Sequence, residues 1–132
     1  DLTKSLGSYK ETFFEWTAFP MAVDFKSTRI ACGLLEGWHH TPTFNEIEYH
    51  EDAELFYFLE GPALMLFVDI KAGKAVMESA QIVRIPAGTE LSIDPGKGHF
   101  VAVAEGDTMK ALVVAPVQDS PRITLDETVC GE

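Results

Sequence analysis

Residues 44–70 read FNEIEYHEDAELFYFLEGPALMLFVDI, and their rhythm decides the fold class. Residues 44–49 alternate, so Phe44, Glu46, Glu48 and His50 fall on one side of an extended segment, with Asn45, Ile47 and Tyr49 on the other. The next segments, 54–59 (ELFYFL) and 63–70 (ALMLFVDI), are short apolar runs rich in aromatic and β-branched residues. That content fits strands better than short buried helices. Glu60, Gly61 and Pro62 between them form a tight-turn signal.

The same punctuation recurs outward from this stretch. Turn signals fall at Gly33, Gly37, Thr41 and Pro42 on one side, and at 71–73, 86–88, 94–96 and 105–107 on the other. Between them, 81–85, 89–94, 99–104 and 108–115 continue the strand series. Turns spaced by roughly 8–12 residues belong to an all-β sandwich or barrel. So many short strands must protect their edges, and closing into a small barrel does so. The N-terminal third is less regular: 21–26 and 28–35 are strand candidates, and 4–14 suggests one helical turn. Residues 118–132 read as a polar tail, irregular or packed along the outside. No linker, repeat or low-complexity tract interrupts the pattern, so 1–132 reads as a single domain with an N-terminal segment (1–27) and a tail (118–132).

Composition bounds the function. A chain of 132 residues is one domain's worth, and nine Phe, three Tyr and two Trp argue against disorder. Ten Lys and Arg against 21 Asp and Glu leave a net charge of −11, which repels phosphate backbones and anionic membranes. Neither a nucleic acid nor a membrane is therefore the expected partner. No apolar run approaches the ~20 residues that span a bilayer. Residues 1–7 lack the basic-then-apolar pattern of a signal peptide. The two cysteines, Cys32 and Cys130, read as free thiols of a reducing compartment, so a cytoplasmic location is expected.

Alternation also nominates chemistry. Glu54 opens a strand and shares its face with Phe56 and Phe58, while His99 shares a face with Val101 and Val103. Glu48, His50 and Glu54 lie within seven residues on two segments expected to be neighbours. Carboxylates and imidazoles converging in an apolar cavity can ligate a divalent cation, act as general acid and base, or simply hydrogen-bond one another. The spacing leaves all three open. His39 and His40 read as loop or surface, and Trp16 and Trp38 as core or interface aromatics. Residues 94–98 form a turn without the strand–loop–helix setting of a phosphate cradle. There is no Gly-x-Ser-x-Gly element and no Cys-x-x-Cys zinc pattern.

Residues 50–61, HEDAELFYFLEG, place His50, Glu54 and Gly61 at the spacing His, three residues, Glu, six residues, Gly. This resembles the latter part of the first cupin motif. Residues 85–89 (IPAGT) resemble the Pro-x-Gly opening of the second. The resemblance spans about 38–115 and implies an all-β, cupin-type double-stranded β-helix, a jelly-roll barrel. Two departures stand out. Glu48 occupies the position of the first motif's leading His, and the second motif's His would fall at or beside Leu91, the next being His99. A metal set, if any, would then be Glu48, His50, Glu54 and His99, with Mn, Fe, Ni or Zn as the candidate ion.

Within the cupins, residues 50–62, 63–69, 85–88 and 96–99 are remotely similar to the ureidoglycolate lyase family, with Leu55 and Gly98 departing from its pattern. That similarity implies release of urea from ureidoglycolate, leaving glyoxylate. His50 and Glu54 would serve as base and acid, with Glu48 tuning His50 upward. His99 would donate to the substrate carboxylate, Arg84 would clamp it, and Phe56 would form part of the substrate wall. The alternatives are a non-catalytic cupin that binds a small ligand, and a metal-dependent isomerase or oxygenase with an atypical Glu/His set. The expected partners are a small-molecule carboxylate and a second copy of the chain. Phe13, Phe14, Trp16 and Phe19 are candidates to cover a homodimer interface.

Overall fold

In the computed structural model, residues 8–19 and 21–131 are described. In chain order the strands are β1 (Ser8–Lys10), β2 (Glu15–Thr17), β3 (Ile30–Trp38), β4 (Thr43–Glu48), β5 (Glu54–Glu60) and β6 (Ala63–Lys71). They continue with β7 (Lys74–Ile85), β8 (Glu90–Ile93), β9 (Gly98–His99), β10 (Val103–Ala104), β11 (Thr108–Pro116) and β12 (Arg122–Cys130). Among the described residues there is no helix.

Two antiparallel sheets make a jelly-roll barrel. One runs β3-β11-β5-β8; the other runs β10-β6-β9-β4-β12, with β7 paired along β6. β1 and β2 form a separate hairpin. The β6–β7 connection is a two-residue turn at Ala72 and Gly73, whose φ values of 50° and 74° match the turn whose twist suits a hairpin.

Side-chain alternation sorts two interiors. Phe56 and Phe58 of β5 face inward with Met65, Ile85, Ile93, Met109 and Ala111, forming the barrel core. Leu55, Tyr57 and Leu59 point the other way, and Tyr57 is met there by the Phe19 ring at 4.6 Å. β6 is buried on both faces. Met65 and Phe67 join the barrel core, while Leu66, Val68 and Ile70 join a second cluster with Phe44, Ile47 and Leu125. That double burial is why residues 63–68 read as an unbroken apolar run.

Several segments differ from the sequence expectation. Residues 8–10 form a strand instead of helix, because the chain reverses at 11–14 and the Tyr9 and Phe14 rings meet at 5.8 Å; residues 4–7 lie outside the described residues. Residues 21–26 form no strand; their end is held by polar contacts described below. The supposed tail contains β12, paired with β4. Its polarity hides an alternation that sends Ile123, Leu125 and Val129 into the second cluster. The pairing shifts register opposite Asn45, which lets Phe44 and Ile47, three apart, enter that same cluster. Residues 99–104 are split into β9 and β10. Trp16 and Trp38 stand exposed, Trp38 at 75%, and so do Phe13 and Leu34. Cys32 and Cys130 are exposed free thiols. Among the described residues, no helix is long and apolar enough to cross a membrane.

Candidate functional site

The fold gathers four of the nominated side chains at one end of the barrel core. Glu48 ends β4 and pairs directly with His99 of β9, so the two share a face. His99 pairs on its other side with Phe67 of β6. Glu54 opens β5, and His50 lies in the connection just before it. Glu54 Oε1 stands 2.6 Å from His50 Nε2 and 3.0 Å from His99 Nε2. Glu48 Oε1 is 3.7 Å from His99 Nε2. The two imidazole rings are 5.1 Å apart, tilted by 51°. One ligand atom each from Glu48, His50 and His99 lies within 4.8 Å of the others.

The connection that carries His50 is pinned by Asp52. Its carboxylate accepts from the backbone N–H groups of Lys26, Ser27 and Ala53, at 2.8 to 3.1 Å. Burial raises the Asp52 carboxyl, and these donors, with the Lys26 charge, more than reverse it to a net lowering. The Asp52 N–H in turn donates to Gln118 at 3.0 Å. These contacts draw the irregular 21–27 segment and the 117–121 segment onto the loop that sets His50.

Both imidazoles are held from behind. His50 Nδ1–H donates to the Asp119 carbonyl at 3.0 Å, with the Ser120 hydroxyl at 3.4 Å. His99 Nδ1–H donates to the Lys97 carbonyl at 2.9 Å. A carbonyl only accepts, so the proton of each neutral ring sits on Nδ1 and each Nε2 carries a lone pair into the site. Buried His50 Nε2, His99 Nε2 and Glu54 Oε1 are close together, yet with both rings neutral and protonated at Nδ1 none has a donor to pair with. Three electron-rich atoms in such contact need a positive charge among them, either a proton or a cation. Contact with Glu54 raises the His50 imidazole above its usual range; desolvation opposes this, and the Asp119 carbonyl adds to it. Burial pushes the Glu54 carboxyl up, but the His50 and His99 rings outweigh it and bring the group down to about 2.

The donor set fits a first-row divalent cation. Imidazole and carboxylate are its natural ligands, and a carbonyl behind each ring fixes tautomer and orientation. Beside the donors lies a cavity of about 150 Å³ lined by Glu48, Glu54, His99 and apolar side chains that include Phe56, Met65, Phe100 and Val113. A larger groove of about 680 Å³ runs past Tyr49, Glu51 and residues 117–121, and contains none of the four donors.

Arg84 stands elsewhere, which removes it as a clamp on a ligand in this cavity. It pairs in register with Leu64, on the face opposite the inward pair Ala63 and Ile85. There it is exposed and bonded to Glu105 at 2.7 Å. His39 is likewise outside the site, its Nδ1–H donating to the Glu105 carbonyl. Sequence reasoning missed the Asp119 and Lys97 carbonyls and the walls Leu35, Met65, Phe100 and Val113. Backbone acceptors leave no residue-type signal, and the walls look like ordinary core.

No protein-family model and no curated protein matches the chain. Solved structures do. The polyketide cyclase RemF from Streptomyces resistomycificus is 23% identical over 77% of this chain and 66% of its own, with a TM-score of 0.50. An oxalate oxidase in complex with the substrate analogue glycolate is 13% identical over 72% of this chain and 45% of its own, with a TM-score of 0.51. A cupin protein from Bacteroides fragilis is 11% identical over 93% of this chain and 92% of its own, at 0.48. The chain thus spans less than two thirds of the length of either enzyme. At these identities the likeness speaks for the fold alone, an all-β jelly-roll barrel.

Proposed function

We propose that this chain is a small-molecule enzyme that holds one divalent first-row cation on Glu48, His50, Glu54 and His99. The observation that carries the reading is the pair of imidazoles, each tied at Nδ1 to a carbonyl, with both Nε2 lone pairs and Glu54 Oε1 buried, adjacent and without a donor among them. RemF is named a cyclase and its companion an oxidase, so the same barrel serves enzymes. The donors, not that precedent, support the activity. A bound cation would supply Lewis acidity toward a ligand oxygen. Glu54 and the two histidines would fix its place, and the apolar walls would exclude water from the ligand. Glu48, the donor farther from His99, would be the group to hold or accept a ligand proton at the cavity side.

Elemental analysis of untagged protein, dialysed against Mn, Fe, Ni or Zn and then freed of excess, tests this. About one equivalent per chain is expected, falling at least tenfold in His50→Ala and Glu54→Gln, within the range seen when metal-site contacts are removed. No retained metal with any of the four ions overturns the reading.

A second reading has one observation in its favour, the 2.6 Å contact of His50 with Glu54. Metal-free acid–base cleavage of ureidoglycolate would use the ionised Glu54 carboxylate to take the hydroxyl proton as the C–N bond breaks. The protonated His50 ring would pass its Nε2 proton to the departing ureido nitrogen, so that glyoxylate and urea leave. Urea release by the metal-free protein, abolished in His50→Ala, is the expected sign. Release no faster than in buffer sinks it.

A further inference from the structure

We infer that the cavity selects small, uncharged, largely apolar ligands over carboxylates or phosphonates of the same size. This rests on the metal-centre reading above. The argument starts from charge. Glu48 and Glu54 bring two negative charges, and the histidines, presenting Nε2 lone pairs, bring none. A divalent cation among them makes a centre of zero net charge, which offers an anion no net attraction.

The walls add nothing to hold an anion. Among the described residues, no Lys or Arg lines the cavity. Arg122 lies over the Phe100 ring at 5.3 Å, but its guanidinium is bonded to Glu46 at 2.6 Å. Arg84 is bonded to Glu105 on an outward face. The remaining walls, Leu35, Phe56, Met65, Phe100 and Val113, would strip water from a second charged group and return no hydrogen bond. The whole chain, at −11, also disfavours the approach of anions. The volume of about 150 Å³ is half of the ~300 Å³ at which drug-sized pockets begin. A fitting ligand has one or two oxygens for the cation and a short apolar body for Phe56 and Phe100.

The test uses cobalt-loaded protein and two matched probes, neutral 2,3-butanedione and the pyruvate anion, which differ by a methyl group against a carboxylate oxygen. Cobalt content is measured before and after each titration. Binding is read by calorimetry and by the cobalt absorption bands. Butanedione is expected to bind at least tenfold more tightly. Glu48→Gln, which leaves the centre with one positive charge, is expected to shift that ratio toward pyruvate by tenfold or more. Equal or tighter binding of pyruvate to the wild type, or no binding of butanedione to cobalt-loaded protein, overturns the inference alone. An unchanged ratio in a folded, cobalt-loaded Glu48→Gln overturns its charge argument. Failure to take up cobalt overturns the metal-centre reading, and this inference with it.

Discussion

Strand β6 is the wall between two interiors that differ in kind. On one side Met65 and Phe67 face a core that stops at Glu48, Glu54 and His99 and leaves a cavity. On the other, Leu66 and Val68 meet Phe44, Ile47 and Leu125 in a cluster of apolar side chains alone. The first compartment carries ionisable groups in mutual contact, the contacts on which the proposed cation site rests. Among the described residues, the second holds no buried ionisable side chain. The comparison suggests that the chemistry and much of the stability are assigned to opposite faces of one strand.

The largest effect should come from opening the closed side. Leu66 is fully buried there, and Leu66→Ala is expected to lower stability by about 2–5 kcal/mol in urea unfolding. Cobalt affinity of the folded fraction should change by less than threefold. An affinity that falls along with stability breaks the separation of the two compartments.

Gly98 tests the seam. A Cβ there would lie 2.6 Å from the Val68 carbonyl oxygen and 2.7 Å from Ile47 Cδ1, on the closed side, while the adjacent His99 faces the donors. Gly98→Ala is expected to cost about 1–3 kcal/mol by overpacking. Because the strain must move β9, cobalt affinity should also fall, by about tenfold, as when a supporting contact of a metal ligand is lost. A destabilised protein with wild-type affinity would show that the site is insulated even from its own strand.

How much of this could be read in the sequence follows the same division. Alternation in residues 54–59 separates Glu54, Phe56 and Phe58 from Leu55, Tyr57 and Leu59, and the structure keeps that partition. The run 63–70 announces a strand buried on both faces. β12 stayed hidden because Arg122, Thr124, Asp126 and Glu127 mask three inward apolar residues, and because a register shift breaks the period. Arg84 was nominated by residue type; only the pairing with Leu64 shows which way it faces. The meeting of His99 with Glu48 depends on a cross-strand pair just over fifty residues apart in the chain, which no local pattern encodes.

The smallest effect sharpens the contrast through pH, in metal-free protein. His50 is raised above its ordinary value of 6.5, first by its contact with Glu54, so the stability it contributes is complete below pH 6.5 and is lost as pH rises through the raised value. Glu54 is lowered from 4.5 to about 2, so its contribution is complete above pH 4.5 and is lost as pH falls toward 2. Both are intact only between about pH 4.5 and 6.5. Urea midpoints of wild type and His50→Gln, compared at about pH 5.5 and about pH 8.5, should converge at the higher pH, by less than either packing effect above. Cobalt affinity should move the opposite way over the same interval, because the proton that stabilises the empty site competes with the ion for His50 Nε2. Leu66→Ala has no such titrating group and should lose the same stability at both pH values. A wild-type advantage over His50→Gln that stays flat across that range would mean that protonating His50 beside Glu54 contributes nothing to folding.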